Sequence, residues 1–580
     1  MESSGSAVMK HSNSEGRFWS KIKVLFESQK FIIVLYSPPF LSRIGVCERQ
    51  PGKQNALSTV PNTFNVAHFF VDRHVLESKG ANIAIECGDH QVSYCDLLEW
   101  VNRVGNVLRG LGVRIEERVA ILLPDSPEFL YAFFGAIKVG AVAVPFNTYL
   151  QPPDYEFLLN DTRARVLLVH ETLLPLVNDI PKQKLAYLEE IVVVGGNARD
   201  RLCFDELTKA ASSELQAAQT SPDDAAFWLY SSGSTGTAKA CIHLHHDMVI
   251  SSELYAKGIL GINDRDRCYS VARLFFAYGL GNAGYFPLSC GATTILSPER
   301  PTPSGIFTNI QRYRPTLFFS VPSNYAALLS QNRQDGGDFD LSSVRHAISA
   351  GESLPAPLFE RFKQRFGIEI LDALGSTETL QMVIANRPGQ ARPGSSGKII
   401  PGYEARLVDD QDHDVAQGEI GALVIKGDSI CAGYWNRHEK TKATFEGHWF
   451  RTGDKYYQDE DGYFWYAGRA DDLFKVNGRW LSPAEVESAL IAHPAVQEAA
   501  VIAREDKHRL TKPAAYVVVK PDYFANEDLA RTLQDWVTER LGAYKRPRWV
   551  KFLPELPKTA TGKLQRFKLR ELQAQEPSDR

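Results

Sequence analysis

Residues 230–239 read YSSGSTGTAK, a run of hydroxyl side chains and glycines that ends in a single lysine. Small residues allow backbone N–H groups to turn inward around phosphate oxygens, and Lys239 adds a positive charge. Further hydroxyl donors come from Ser231, Ser232, Ser234 and Thr235. The apolar segment 227–230 leads into this stretch like a buried strand, and a second apolar region begins at Cys241. These flanks favour a phosphate-binding loop over a solvated Gly/Ser linker.

The spacing of the glycines separates this loop from two familiar phosphate-binding motifs. The P-loop of the NTPases reads GxxxxGK[ST], whereas here Gly233 and Gly236 are three positions apart and Lys239 follows three positions later. The dinucleotide-binding pattern GxGxxG is not matched either. We therefore predict a phosphate loop of another class.

The composition is that of a large globular protein. The 580 residues are 44% hydrophobic and 23% charged, with a net charge of -4, and such a chain can form more than one core. This balance gives no reason to expect a nucleic-acid or membrane partner, and no apolar run approaches the roughly 20 residues of a membrane helix. The eight cysteines show no metal-ligand spacing, which favours reduced thiols and a cytoplasmic setting.

The first part of the chain, residues 1–60, differs from the rest and is predicted to be a disordered leader. It is rich in Ser and Lys, and its one apolar patch, 31–36, begins late for a signal peptide. From residue 61 onward, apolar strands such as 119–123 alternate with amphipathic helices, one of which has Asp96 as its candidate cap. This alternation indicates parallel sheets covered by helices, an α/β fold.

A second change in composition falls near residue 470. The segments after it predict a small α+β domain, with helices at 484–492 and 526–541 and strands at 496–503 and 514–520. We therefore predict a large N-terminal domain over residues 61–469 and a small C-terminal domain over residues 470–580.

Six further polar motifs follow the phosphate loop. They are SAGE at 349–352, GSTE at 375–378, RTGD at 451–454, GRADD at 468–472, KVNGRW at 475–480 and PKTATGK at 557–563. Taken alone, GSTE is typical of a capped helix start and RTGD of a turn. In this order and together with the loop, they resemble the adenylate-forming superfamily of acyl-CoA synthetases, luciferases and carrier-protein adenylation domains. The resemblance covers about residues 61–575.

This resemblance implies a large N-terminal domain of stacked α/β subdomains and a small, mobile C-terminal domain. It also implies two half-reactions. A carboxylate attacks ATP to give an acyl-adenylate and pyrophosphate, and a thiol, usually that of coenzyme A, then displaces AMP. Because the triphosphate repels the carboxylate, Lys, Arg and Mg²⁺ are expected to neutralise the charge between them.

The same resemblance implies a role for each motif in the N-terminal domain. The β- and γ-phosphates are expected at Ser231, Ser232, Gly233, Ser234, Thr235, Gly236 and Lys239. Glu378 is the expected Mg²⁺-associated acid, and Thr377 is expected near the α-phosphate. Adenine and the adenylate are expected along Ala350, Gly351, Glu352, Asp372, Ala373, Leu374, Gly375 and Ser376. Asp454 suits the ribose hydroxyls, and Arg469 suits ribose or phosphate.

The C-terminal motifs imply a moving part. Lys563 is the expected catalytic lysine, bridging the substrate carboxylate and the α-phosphate, and Asp471 is the expected hinge. Rotation about that hinge would withdraw Lys563 after adenylation and bring a pantetheine channel into place. The channel residues are expected to be Lys475, Asn477, Gly478, Arg479 and Trp480.

The segment RLFFAYGLGN at 273–282 bears on which carboxylic acid is the substrate. Together with 64–75 and GSTET at 375–379, it resembles the benzoate–CoA ligase group. That group places four residues around the aromatic ring, here Ala277, Tyr278, Ala350 and Gly375. An aromatic carboxylic acid is therefore the expected substrate, with a carrier-protein loading enzyme, another acyl-CoA synthetase or a non-catalytic ligand-binding relative as alternatives. Motifs do not determine the oligomeric state, and a homodimer is one assembly we consider.

The chain departs from the family pattern at two places. Gln381 and Met382 stand where a His-Ile pair is expected, and Met382 could admit a substituted ring or leave specificity unchanged. Ala238 and Ala240 replace the Pro and Gly that commonly flank the lysine, which is expected to alter loop stiffness and weaken the grip on ATP.

Overall fold

A computed structural model describes most of the chain in two separate compact units. It describes residues 24–27, 30–33, 60–196, 198, 200–232, 238–332, 337–469, 472–476, 479–506, 508–558 and 564–575. Of residues 24–33, Ser232 and Trp480, only the backbone is described. The first unit, Met1–Gln54, contains one antiparallel hairpin, Val24–Glu27 with Lys30–Ile33. The remainder of the predicted leader up to residue 59 lies outside the described residues, so its disorder stays a prediction.

The second unit, Asn55–Arg580, contains a seven-stranded sheet. Its strands, in spatial order, are Ala238–Leu244, Ala225–Ser232, Val142–Pro145, Arg118–Leu122, Val166–His170, Glu190–Val194 and Leu202–Cys203. All neighbours pair in parallel except the first two, which form an antiparallel hairpin with Ser231 opposite Lys239. The described ends of the predicted phosphate loop therefore lie on two paired strands, with Ser231 and Ser232 on the first and Lys239 on the second.

A nine-stranded sheet carries two of the other motifs. Its strands, in spatial order, are Lys398–Ile399, Met382–Ala385, Ile370–Gly375, His346–Ala350, Leu317–Ser320, Arg267–Ser270, Thr293–Leu296, Ile83–Cys87 and His90–Ser93. The central strands are parallel, and the motifs SAGE and GSTE come at the carboxyl ends of two neighbours, His346–Ala350 and Ile370–Gly375. Ligands of open α/β sheets bind at such ends.

The main core lies between these two sheets. Along the strand Arg118–Leu122, Val119 and Ile121 join this shared core while Ala120 and Leu122 pack on the opposite face, as the two-residue period of a strand requires. Phe318 and Phe319 divide in the same way in the second sheet. Both sheets are therefore covered on both faces, which confirms the predicted α/β class with stacked subdomains.

Helices fill the layers around the sheets. They are His68–Asp72, Arg73–Leu76, Tyr94–Gly110, Pro127–Lys138, Pro152–Thr162, Pro175–Asn178, Lys182–Lys184, Phe204–Ala210, His245–Ser251, Ser252–Lys257, Ala277–Leu280, Gly281–Tyr285, Phe286–Cys290, Pro303–Tyr313, Pro322–Leu329, Ala356–Phe366 and His438–Thr444. The cap predicted at Asp96 is wrong. Ser93 caps that helix, and Asp96 completes the capping box from the third helical position. Among the described residues, no helix is both long and apolar enough to cross a membrane.

An antiparallel five-stranded sheet and a small α+β part complete the unit. The five-stranded sheet comprises Glu404–Val408, Gly421–Lys426, Trp449–Gln458, Phe445–Glu446 and Phe464–Arg469. The small part has strands Phe474–Val476, Arg479–Leu481, Val496–Glu505, Thr511–Val519 and Trp549–Phe552 and helices Pro483–Ile491, Glu527–Leu541, Ala543–Lys545 and Arg566–Ala574. These elements confirm a small C-terminal α+β part, while the exact domain limits stay a prediction.

Candidate active site

The second strand of the phosphate hairpin aims its lysine at the GSTE motif. Lys239 Nζ donates to Glu378 Oε1 at 2.8 Å and to the Tyr434 hydroxyl at 2.6 Å. Tyr434 in turn donates to the same Glu378 oxygen at 2.8 Å, and Lys239 Nζ lies 4.0 Å from the centre of the Tyr434 ring. The structure thus brings together two residues that lie 139 positions apart in the sequence.

Tyr434 is a site residue that the sequence analysis missed. It reaches the lysine because its segment pairs with the hairpin, with Cys241 opposite Tyr434 in an antiparallel bridge. No sequence signal marks this tyrosine, since it stands in an irregular segment whose position depends on tertiary pairing.

The electrostatics favour an ionised glutamate. Burial alone would raise the pKa of Glu378, but the charge and hydrogen bond of Lys239 outweigh it and hold that pKa below its ordinary value. Burial and the neighbouring carboxylate raise the pKa of Tyr434, so its hydroxyl remains a hydrogen-bond donor. Glu378 therefore stays an anion in a nearly enclosed place, with 10% of its side chain exposed.

The predicted adenylate-binding residues lie on neighbouring strands. In the register of the parallel pair, Ala350 stands opposite Ala373 and Ser349 opposite Asp372. Asp372 is buried, and burial raises its pKa well above the ordinary value. Its Oδ2 accepts from Leu354 N at 3.4 Å, whereas its Oδ1 has no hydrogen-bond partner among the described residues. Asp372 therefore has one carboxylate oxygen without a protein partner among the described residues, next to the strand that carries Ala350.

The remaining residues of these two motifs follow the strand ends. Gly351 has a φ of +90°, a conformation that favours glycine. Glu352 Oε1 accepts from Leu564 N at 3.0 Å, which joins this motif to the C-terminal part. Leu374 and Gly375 are the last two residues of the strand Ile370–Gly375, and Ser376 N donates to the Thr379 hydroxyl at 2.9 Å.

Asp454 and Arg469 form one pair on adjacent strands of the five-stranded sheet. Arg469 Nη1 donates to Asp454 Oδ1 at 3.0 Å and to Thr452 O at 3.1 Å. Gly453 has a φ of +76°, and a Cβ atom there would lie 2.9 Å from Arg469 Nη2. Glycine at this position therefore lets the guanidinium lie across the turn. The two residues expected at the ribose are thus brought together.

Gln381 contacts three of the four residues expected around the aromatic ring, Ala277, Tyr278 and Gly375. Gln381 Nε2 donates to Ala277 O at 2.6 Å and to Tyr278 O at 3.2 Å. A Cβ atom on Gly375 would lie 2.6 Å from Gln381 O and 3.0 Å from Met382 Sδ. The Tyr278 hydroxyl donates to Ser320 O at 3.1 Å and to Ile348 O at 3.2 Å.

Most of the side chains expected to contact the aromatic ring are buried. Ala277, Ala350 and Met382 are buried members of the main core, and Tyr278 packs against it. Since the Tyr278 hydroxyl is engaged by two carbonyls, its ring, rather than its oxygen, is the group available to an apolar ligand. In the sequence Gln381 is only a departure from the family pattern, and no local signal indicates its link to the backbone of Ala277 and Tyr278.

Several predicted residues lie outside the described residues: Gly233, Ser234, Thr235, Gly236, Asp471, Asn477, Gly478 and Lys563. Of their neighbours, Lys475 and Arg479 are exposed on the ribbon Phe474–Val476 with Arg479–Leu481, next to the backbone of Trp480. Asp472, beside the predicted hinge, lies 3.6 Å from Arg566 Nη1 and also contacts Arg570. The predicted hinge and channel roles stay predictions.

Comparison with known proteins agrees with these motifs. The AMP-binding enzyme family matches residues 71–435, and the AMP-binding enzyme C-terminal domain matches residues 485–563. A benzoate–CoA ligase of Thauera aromatica is 46% identical over 88% of this chain and 96% of its own length. A 4-hydroxybenzoate–CoA/benzoate–CoA ligase of Rhodopseudomonas palustris is 41% identical over 88% of this chain and 94% of its own.

A solved structure agrees with the fold. An anthranilate CoA ligase in complex with anthranoyl-AMP is 44% identical, with a TM-score of 0.85 over 89% of this chain and 98% of its own. The fold of this chain is therefore shared with an aryl acid–CoA ligase. This chain belongs to the AMP-binding enzyme family, as an AMP-forming acid–thiol ligase of the benzoate–CoA ligase group.

Proposed function

We propose that this protein activates benzoate or a ring-substituted benzoate with ATP and transfers the acyl group to coenzyme A. The observation that carries the proposal is a wall formed by the buried Ala277 and Met382 and the half-buried Tyr278 and Gly375, beside the strand ends that hold the adenylate motifs. Gln381 contacts the backbone of Ala277 and Tyr278 behind it. An aromatic ring fits such an apolar place, and burying it contributes roughly 1.5–3 kcal/mol. The benzoate–CoA ligase of Thauera aromatica supports the same substrate class.

The chemistry proceeds in two balanced steps. In the first, a carboxylate oxygen of the acid bonds to the α-phosphorus, and the bond from that phosphorus to the bridging oxygen of the β-phosphate breaks. Pyrophosphate leaves. In the second, the thiol sulfur of coenzyme A bonds to the acyl carbon, AMP leaves with the electron pair of the broken C–O bond, and the thiol proton is released. The established family activity supplies ATP and coenzyme A as substrates.

We assign the phosphate end of the site to the hairpin and Glu378. Lys239 is held by Glu378 and Tyr434, so it is aimed before a nucleotide arrives and needs little rearrangement to bind a phosphate. Ser231 and Ser232 lie on the strand before the hairpin tip, which is expected to carry the remaining donors at Gly233, Ser234, Thr235 and Gly236.

A magnesium ion is part of the proposal, with Glu378 as its protein ligand. The described residues contain no group of three or more His, Cys, Asp or Glu side chains that could hold a metal. One ionised carboxylate fits Mg²⁺, which is commonly bound through one or two carboxylates together with substrate phosphates. When bound, the ion would neutralise phosphate charge.

The nucleoside end is assigned to Asp372, Asp454 and Arg469. The unpartnered Oδ1 of Asp372 can accept from, or when protonated donate to, an adenine edge, and Asp454 is an acceptor for the ribose hydroxyls. Lys563 remains our proposed catalytic lysine. The hydrogen bond from Leu564 N to Glu352 supports this, because it ties the residue next to Lys563 to the adenylate motif.

The experiment is a substrate panel with purified full-length protein. Pyrophosphate release and CoA thioester formation are measured with benzoate, 2-amino-, 2-hydroxy- and 4-hydroxybenzoate, cinnamate and hexanoate. We expect an aryl acid to give the highest kcat/KM in both assays, with AMP and thioester formed in equal amounts. A clear preference for hexanoate would overturn the aryl assignment, and pyrophosphate release without thioester would favour a carrier-protein thiol as acceptor. The cytoplasmic setting and the homodimer stay predictions.

A further inference from the structure

Three consecutive carbonyl oxygens of the Glu378 loop are each bound by a different group. The loop runs from Ser376 to Gln381, between two strands of the large sheet. The donors come from two other parts of the fold. They are His243 Nε2 to Thr377 O at 2.8 Å, Cys431 N to Glu378 O at 2.8 Å and Ser429 Oγ to Thr379 O at 2.9 Å. We call these three hydrogen bonds the carbonyl clamp.

The clamp holds a loop that carries local strain. Leu380 has a φ of +65°, in the left-handed region that a leucine rarely adopts. Its N–H donates to Thr377 O at 3.2 Å, so the same carbonyl that His243 binds also closes this turn. Such a conformation persists only where surrounding contacts over-determine it, and strained residues of this kind cluster at functional sites.

His243 is the best-anchored member of the clamp. It is fully buried, its Nδ1 lies 2.8 Å from Asp247 Oδ2, and its ring stacks on Phe227 with centroids 5.1 Å apart. Its two ring nitrogens thus face a carboxylate and a carbonyl on opposite sides of the ring. Asp247 Oδ2 also accepts from Leu244 N at 3.1 Å, at the start of the helix His245–Ser251. The imidazole therefore has almost no freedom to turn.

Two residues of one strand contact the Glu378 loop. Lys239 and His243 lie four positions apart on the strand Ala238–Leu244, so both point to the same face. Lys239 binds the carboxylate of Glu378, and His243 binds the carbonyl of the residue before it. The hairpin thus fixes the side chain and the backbone of the acidic loop relative to each other.

We propose that His243, held by Asp247, is a positioning residue that sets the Glu378 carboxylate for the adenylation step. The proposal rests on the role of Glu378 in nucleotide activation proposed above. Loss of the His243 bond leaves Thr377 O with the Leu380 contact alone and lets the strained turn relax, which moves Glu378 away from Lys239. Displacements of about 1 Å at a reacting centre can cost about 100-fold in rate.

The test compares His243→Leu and His243→Gln with a matched control, His74→Leu. His74 is also buried and also binds a backbone carbonyl, that of Leu288, but it lies outside the proposed site. Four readouts are taken on the full chain: the unfolding midpoint, the Kd of Mg·ATP by calorimetry, the rate of ATP–pyrophosphate exchange with benzoate, and thioester formation from synthetic benzoyl-AMP. The Gln variant retains one side-chain N–H and guards against a Leu variant that fails to fold.

We expect both Leu variants to lower the unfolding midpoint, and only the His243 variant to slow exchange, by about 10- to 100-fold. Its Kd for Mg·ATP is expected to rise several-fold and its thioester rate from benzoyl-AMP to stay within about threefold of wild type, with the Gln variant between the two. Equal effects of His243→Leu and His74→Leu on Kd and exchange would overturn the proposal. If the wild type shows no exchange with any aryl acid, the proposed function fails, while the Kd comparison still tests His243.

Discussion

Lys239 Nζ lies 2.8 Å from Glu378 Oε1, and Tyr434 bonds to both groups at once. The three residues come from a hairpin, a loop at a strand end and an irregular segment, so the contact joins three parts of the fold. Side-chain exposures of 15% for Lys239 and 10% for Glu378 mean that neither charge is well solvated. Each therefore depends on the other, which makes the pair both a structural and a functional unit.

Replacing Lys239 tests the contribution of the pair both to stability and to adenylation. Lys239→Met leaves Glu378 without its counter-charge, so we expect the free energy of unfolding to fall by about 1–3 kcal/mol. Adenylation is expected to fall at least about 100-fold, because the site loses a positive group that faces the phosphates. Urea unfolding and ATP–pyrophosphate exchange measure the two effects.

The double variant Lys239→Met with Glu378→Gln is the control for this prediction. It removes both charges, and most of the lost stability is expected to return while adenylation stays low. A double variant as unstable as Lys239→Met would show that the pair does not account for the stability loss.

The protonation of Asp372 is expected to make the free energy of unfolding depend on pH. Burial raises the folded pKa of this carboxyl well above its ordinary value of 3.8, so the folded state binds the proton more tightly than the unfolded state does. The stability that Asp372 contributes is therefore complete below pH 3.8 and is lost as the pH rises through the folded pKa. At neutral pH we expect Asp372→Asn to be more stable than wild type by about 1–3 kcal/mol.

The gain should shrink as the pH falls towards 4, which urea unfolding between about pH 4 and 8 would reveal. The same variant is expected to raise the KM for ATP about 10-fold, because the group proposed to face adenine has changed. A stability difference that stays constant across this pH range would argue against a neutral Asp372 in the folded state. Ser349→Ala, which changes the opposite strand position, is the control without a titratable group.

The sequence predicted the parallel sheets well because their strands are continuous apolar runs. The strand Arg118–Leu122 was placed to within one residue. Tyr434 and Gln381 were beyond its reach, since each acts through a contact with a residue distant in sequence. Helix capping was misassigned at Asp96, although Ser93 and Asp96 fit the capping-box pattern, in which the first residue is the cap and the acid three positions later bonds back to it.

Gly453 is expected to affect the binding of ATP as well as the conformation of its turn. Gly453→Ala places a Cβ 2.9 Å from Arg469 Nη2 and forces the guanidinium to move, so we expect the KM for ATP to rise about 10-fold. Gly447→Ala is a matched control, since Gly447 also has a positive φ, +58°, but open space around its Cβ position. Both variants are expected to lose about 1 kcal/mol of stability from the strained backbone. A comparable rise in KM for both would mean that the strain, rather than Arg469, sets the affinity.

The preference among ring substituents is expected to depend on Met382. Its sulfur lies 3.0 Å from the place where a Cβ of Gly375 would stand, so Met382 closes the wall next to the small residues expected around the ring. Met382→Ala would open that wall, and we expect kcat/KM for 4-hydroxybenzoate relative to benzoate to rise about 10-fold, within the range that one substituent can contribute.

Met248→Ala is the matched control, because Met248 is equally buried in the main core and lies outside the proposed wall. Both variants are expected to lose about 2–5 kcal/mol of stability. A shift in preference for Met248→Ala as well would place the origin of specificity in core packing, whereas a shift confined to Met382→Ala would tie it to the wall itself.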